Sequence, residues 1–459
     1  MKRSILIGAI MVLGAAQAKP RLWTDTRGRS VQAEVVKVNP DRTVVLKTER
    51  GKVVEVPFDT FVSEDVKRLE TRLALPFDLH RVPWQEMNRL FGIDLWGDPV
   101  LWDDSTAAAA ERMALKKESK TDFMENHRSY PLGKTNVLSE AVYTIVLYGG
   151  TDNVESLSFV FLNQGDMPGL SGYISPGVIE EMAEKIEASG MRVHDALVPV
   201  LGKPKRDMLG KGEMREKVYR WDWNRHAIML SMQEGKYAAM RIMPSERADR
   251  AGRVDKIKEG ELKKRMAACV ERRDNGDVLI RNIPMINQGP KGYCSPATWE
   301  RYLRYMDIPA DMYLLALAGN TGVGGGTYAH QMIAATESLI SSNGRELEPI
   351  PANLSPESIS EHIDAGLPIM WRFLSTPVFQ KAANDNTARR NGEKRKKKND
   401  SGQAEDTGSG GHICLIIGYN KQTGEIAISD SWGPRFAERW VKAKDARRVS
   451  RGGMNVIKW

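Results

Sequence analysis

Residues 283–306 read IPMINQGPKGYCSPATWERYLRYM. Ile283 to Ile286 make a short apolar approach. Gln288-Gly289-Pro290 and Gly292 then force a loop, because Gly and Pro interrupt regular structure. Beyond Cys294, the residues Ala297, Trp299, Tyr302, Leu303 and Met306 recur at helical spacing. Cys294 thus opens a helix, where unpaired N–H groups and the positive end of the helix dipole favour thiolate over thiol. Thiolate is the attacking species in cysteine chemistry, so the position suits a nucleophile. A small buried cysteine at a helix start explains the same pattern equally well. The decision therefore rests on what else the chain supplies.

It supplies two apolar runs, GGHICLIIGYN (410–420) and GEIAISDSWG (424–433). Both read as strands, and the turn from Asn420 to Gly424 makes them an antiparallel hairpin. His412 near the start of the first strand and Asp430 at the end of the second then lie side by side. A base and its orienting carboxylate require that placement. Asp430 takes one imidazole nitrogen and leaves the other for Cys294.

The order Cys294, His412, Asp430 on helix start, strand and strand resembles the papain-like cysteine peptidases. The resemblance implies that Gln288, six residues before Cys294, helps form an oxyanion hole with the Cys294 N–H. It also implies that Trp432, in the stretch DSWG, shields the base and its partner from water. Asp430 in place of Asn, and Ser295-Pro296 after the nucleophile, move the resemblance towards the double-glycine peptidase-like branch. SISEHIDAGLPIMWRF (358–373) fits that branch as a helix, a turn and a strand. The implied activity is hydrolysis of peptide bonds without a cofactor, on a peptide or protein substrate. The alternatives are a thiol acyltransferase or cell-wall amidase, which share the Cys-His-polar order, and a catalytically silent binding scaffold.

Upstream, Lys2 and Arg3 precede a short apolar run and Ala16-Gln17-Ala18, the pattern of a cleavable export signal over residues 1–18. A periplasmic or extracellular location follows. Residues 21–72 carry three alternating runs with turns at Arg27-Gly28, Pro40-Asp41 and Arg50-Gly51, then a helix start at Ser63-Glu64-Asp65. Trp23-Thr24-Asp25, Gly28, VVLKTERGKVVEVP and SEDVKRL resemble the Sla-type homology domain. That resemblance implies a small β-barrel that serves as a binding module, with a protein as the candidate ligand, or as a spacer. Residues 75–250 read as an α+β unit: paired strands AVYTIVLYG and SLSFVFLN, an amphipathic helix GVIEEMAEKIEASG ending at Gly190, and a meander of KVYRWDW, HAIMLSMQ and YAAMRIM. Trp221 and Trp223 are assigned to a sheet face rather than to a ligand. The expected whole is a multidomain α+β chain, with a charged helical linker over 251–269, a papain-like unit over 270–459 and a disordered polar insertion over 381–411.

The 459 residues carry a formal net charge of +8, much of the local basicity lying between Lys394 and Lys398. No basic face interleaved with aromatics marks a nucleic-acid binder. After the N-terminal run, no stretch is apolar enough for a membrane span. Three cysteines, Cys269, Cys294 and Cys414, do not make a disulfide framework. Cys414 shares a strand face with His412 and is assigned to the core. No Cys, His and carboxylate cluster has structural zinc spacing, so no metal is expected. The glycine-rich loop Gly322 to Gly326 lacks the Lys-Ser/Thr of a phosphate loop. Gly325 and Thr327 are instead candidates to border the substrate cleft. Thr327 reads as a helix N-cap, with His330 solvent-facing at the third helical position.

Overall fold

The computed structural model describes residues 21–39, 42–73, 82–130, 135–150, 153–166, 175–233, 235–392 and 410–459. The expected export signal, the Pro40-Asp41 turn and the run Lys394 to Lys398 lie outside them. The described residues form a mixed α and β molecule built on three main sheets.

The first sheet is an antiparallel meander of four strands, Arg21–Thr24, Ser30–Val38, Thr43–Thr48 and Val53–Pro57. The run from residue 21 splits into two strands because the Asp25 carboxylate accepts the Arg27 and Arg29 N–H groups and closes a turn. Trp23, Val44, Leu46, Phe58 and Leu69 fill its small core.

The second sheet has eight antiparallel strands, in the order Lys205–Leu209, Glu216–Trp223, His226–Gln233, Tyr237–Pro244, Val154–Asn163, Thr144–Gly149, Glu125–Ser129 and Lys116–Lys120. Strand alternation sends its two faces to different partners. Leu157, Phe159, Phe161, Ala238, Met240 and Ile242 pack with Ile186, Val193 and Leu197 of the helix Pro176–Leu201. Val160, Tyr237 and Ala239 face the other way, onto Ile286, Tyr293, Ala297, Met312 and Tyr313 of the C-terminal unit. Trp221 and Trp223 are buried in the first of these cores. The helix does not stop at Gly190. It continues to Leu201, and Gly190 lies inside it because a Cβ there would fall 2.4 Å from Met232 Sδ.

The third sheet runs Val270–Arg272, Asp277–Ile280, Gly410–Asn420, Ile369–Ser375, Ser450–Lys458 and Glu346–Ile350, with Glu425–Ser429 and Arg439–Lys442 branching from the third strand. The helix Cys294–Tyr305 is buried nearly all round because it sits between this sheet and the second one. The charged stretch 251–269 carries the expected helix, Glu259–Ala268, which buries Leu262 and Met266 in the C-terminal core. One expectation changes here. The polar stretch from 381 is not a loop at its start. The helix Pro377–Arg390 runs through it, capped by Thr376 and buried along Phe379, Gln380, Ala383 and Asn386. Its inner face mixes apolar contacts of Phe379 and Ala383 with polar ones of Gln380 and Asn386, so no continuous hydrophobic stripe marks it. Among the described residues no helix is long and apolar enough to cross a membrane.

Candidate active site

The approach to Cys294 is held by strand ends of the second sheet. Glu118 Oε1 accepts the Asn287 N–H (2.8 Å), and Ser119 Oγ accepts the Met285 N–H (3.0 Å). The Tyr130 hydroxyl donates to the Asn287 carbonyl. Glu118 is itself fixed through Oε2 by Arg128 Nε (2.8 Å) and Asn126 Nδ2. Below the helix, Glu300 collects the Tyr148 hydroxyl (2.8 Å), Arg304 Nε (2.8 Å) and the Met312 N–H (2.8 Å). These buried charges are paired and hydrogen-bonded, as burial requires.

Cys294 is the first residue of its helix, and no side chain caps that end. Its thiol is half-buried and free. Burial opposes the thiolate, but the His412 hydrogen bond and charge, with N–H groups of Ile413 and Ser295, outweigh it and hold the thiol below its ordinary pKa. Burial likewise opposes the His412 imidazolium. Its bonds to Asp430 and Cys294 prevail and raise its pKa to about 9. The lowered thiol and the raised imidazole together favour the thiolate–imidazolium pair.

His412 Nε2 lies 2.9 Å from Asp430 Oδ1, which leaves Nδ1 for the sulfur. Strand pairing creates this neighbourhood, with Leu415 opposite Ser429. Trp432 stacks on the imidazole at 4.6 Å and Phe373 meets it edge-on at 5.2 Å. Asp430 is fully buried, and burial would raise its pKa; the Arg439 and His412 charges beside it hold it below the usual carboxylate range.

Arg439 was not legible in the sequence. Its Nε donates to Asp430 Oδ2 at 3.0 Å, and Nη2 donates to the same oxygen. Nη1 donates to Gln380 Oε1 (2.8 Å) and Asn384 Oδ1 (3.1 Å), both on the helix Pro377–Arg390. A signal for that helix did exist: Thr376-Pro377 is a cap followed by Pro at the first helical position.

Gln288 is tied to the residue after Asp430. Its backbone N–H donates to the Ser431 carbonyl (2.8 Å), and its side-chain oxygen accepts the Ser431 hydroxyl (2.9 Å). Its amide nitrogen reaches the Lys291 carbonyl at 3.3 Å. Gly325 pairs with Gly292, two residues before Cys294, and a Cβ on Gly325 would stand 2.4 Å from the Gly292 nitrogen. Thr327 is not an N-cap: the helix is Ala329–Ser342 after Tyr328, and Thr327 Oγ1 instead bonds Thr321 Oγ1 at 2.6 Å. His330 is thus the second helical residue; it is exposed, beside Tyr328. Cys414 is fully buried in the core. Among the described residues no group of His, Cys, Asp and Glu is arranged to hold a metal.

No curated protein matches the chain. Among solved structures it is similar to xylellain, a cysteine protease from Xylella fastidiosa, with 11% identity and a TM-score of 0.27 over 42% of this chain and 88% of that one. Residues 280–450, the span that holds Cys294, His412, Asp430 and Arg439, match the model of the Peptidase_C39 like family.

Proposed function

We propose that the C-terminal unit is a cysteine peptidase that hydrolyses peptide bonds through Cys294, His412 and Asp430. The observation that carries this reading is the continuous line from a helix-start thiol through His412 to a buried carboxylate. The Cys294 thiolate attacks the scissile carbonyl carbon and forms a tetrahedral oxyanion. The Cys294 N–H and the Gln288 amide stabilise that charge, a contribution of about 3–4 kcal/mol per donor. His412 gives its proton to the leaving amine as the C–N bond breaks. Water then attacks the thioester, His412 takes the water proton, and the carboxylic acid leaves as the thiolate returns. Asp430 keeps the imidazole oriented throughout, and Trp432 covers the pair.

Residues 1–18 are proposed as an export signal and residues 21–72 as a Sla-type homology module for a protein ligand. The peptidase reading is tested by labelling with iodoacetamide or an epoxide at neutral pH, alongside turnover of a quenched peptide library. Wild type should label and cleave, and Cys294→Ala should do neither. Equal labelling of the two proteins overturns the reading. Labelling with acyl transfer to an added amine, but no hydrolysis, would replace it with an acyltransferase.

A further inference from the structure

A cavity of about 290 Å³ opens between the second sheet and the C-terminal unit, lined by neither Cys294, His412 nor Asp430. One wall comes from the strand Val154–Asn163 and the segment after the strand Tyr237–Pro244. The other comes from the helices Met312–Ala318 and Ala329–Ser342. Its apolar surface is supplied by Leu209, Met243, Leu314 and Leu339.

The charges around this cavity are unbalanced. Arg241 and Arg304 line it but are paired, with Glu216 (2.6 Å) and Glu300 (2.8 Å). Arg247 is different. Its one hydrogen bond among the described residues runs from Nε to the Gly252 carbonyl (3.1 Å), which leaves both terminal nitrogens without a protein partner. Burial holds its guanidinium below ordinary basicity, against the charge of the nearby Glu155 carboxylate and with the help of Arg304 and Arg250. Lys211, Arg253 and Lys256 also line the cavity and have no ion pair among the described residues. The single carboxylate in the lining, Asp311, accepts the Tyr313 and Leu314 N–H groups at a helix start. Two further polar atoms in the wall lack partners: Ser158 Oγ, on a residue 2% exposed, and Arg241 Nε. Buried polar atoms are nearly always satisfied, so unpartnered ones at a cavity wall call for an occupant.

We propose that this cavity binds a small amphiphilic carboxylate, with its acid group on the terminal nitrogens of Arg247 and its chain among Met243, Leu314 and Leu339. A guanidinium fork matches a carboxylate in two parallel hydrogen bonds. The space lies near the lower end of small-molecule pocket sizes, which admits an acid with a short apolar chain. Two sources share this chemistry: a medium-chain fatty acid and the C-terminus of an apolar peptide.

The test uses the full chain carrying Cys294→Ala, so that no ligand is turned over, with calorimetry and thermal melting as readouts. The ligands are octanoate and acetyl-Leu-Leu, with octanamide, the peptide amide and acetate as controls. At least one of the two acids should bind and raise the melting temperature. Its neutral amide should bind at least about tenfold more weakly, the usual scale for losing a charge-assisted pair. The tighter acid identifies the source. Arg247→Gln should weaken that acid by about tenfold or more. The exposed pair Arg253→Gln with Lys256→Gln should weaken it about two- to fivefold and flatten its salt dependence, which keeps the test open if Arg247→Gln does not fold. The proposal is overturned if neither acid binds at about 5 mM. It is also overturned if an amide binds as tightly as its acid, or if folded Arg247→Gln keeps wild-type affinity.

Discussion

Cys294 and the His412–Asp430 pair are braced by different parts of the chain. The loop that delivers Cys294 is tied to Glu118, Ser119 and Tyr130, more than 150 residues upstream, on strands of the second sheet or at their ends. His412 and Asp430 are braced from within their own unit, by Arg439 and the helix Pro377–Arg390. The residues 75–250 are thus part of the scaffold that shapes the approach to the thiol. The two braces also differ in what they hold. One holds backbone N–H groups of the loop that carries Gln288, and the other holds a charge.

The largest effects should fall where the two halves meet. Cys294→Ala and His412→Ala should each lower kcat by at least about 10⁴-fold, since members of a nucleophile–base unit fail together. Because the Cys294 pKa is lowered and the His412 pKa is raised to about 9, the thiolate–imidazolium pair is favoured. Iodoacetamide inactivation of wild type should therefore persist to pH values below the ordinary thiol range. In His412→Ala its dependence should move up towards the ordinary thiol range, near 8.5. A profile unchanged by His412→Ala would separate the thiol from the base.

The next effect isolates the internal brace. Arg439→Gln leaves Asp430 buried without its cation, a change that costs about 3–5 kcal/mol when a buried pair loses one member. Asp430 is depressed in the folded state, so its contribution is present above the unfolded carboxylate value and lost as pH falls through the folded one. Urea unfolding of wild type should show that acid limb, and Arg439→Gln should flatten it. Both peptide hydrolysis and alkylation should slow in this variant, because the imidazolium loses its fixed partner.

The asymmetry also explains what could be seen in the sequence. Cys294, His412, Asp430 and the hairpin joining the last two were legible because each sits in a short pattern: a loop ended by glycine, an apolar strand, a turn. The paired strands of residues 144–163 and the meander of 216–244 were legible for the same reason. Arg439 was not, because its meeting with Asp430 depends on the turn through Pro434–Phe436 and on pairing with the strand Glu425–Ser429. The helix Pro377–Arg390 was hidden because polar residues interrupt its apolar face: Gln380, Asn384 and Asn386 serve Arg439 and the Trp440 carbonyl beside buried Phe379 and Ala383. The upstream brace was invisible for a third reason. A bond from Glu118 to the Asn287 N–H leaves no periodicity in either segment.

A smaller effect should then break the upstream brace alone. Glu118→Gln keeps an acceptor for the Asn287 N–H but sets a second amide donor against Arg128 Nε and Asn126 Nδ2. An unsatisfied buried donor costs about 1–3 kcal/mol. The comparison predicts a split readout. Alkylation of Cys294 needs the thiolate and should keep its wild-type rate and pH profile. Peptide hydrolysis also needs the loop carrying Gln288, and its kcat should fall about tenfold. Equal slowing of the two reactions would show that the braces act on the same step.

The smallest effect belongs to the glycine-rich loop, which touches the nucleophile's approach from the other side. Thr327→Val removes the hydroxyl that bonds Thr321 at 2.6 Å but keeps the shape of the side chain. A net hydrogen bond of this kind is worth about 0.5–1.5 kcal/mol. The Gly325 to Gly292 pairing is backbone and survives the change. Melting temperature should therefore fall slightly, with kcat unchanged and KM raised only if the loop contacts substrate. A fall in kcat as large as that in Glu118→Gln would make the loop a third brace of the thiol, held through Gly292 rather than through the second sheet.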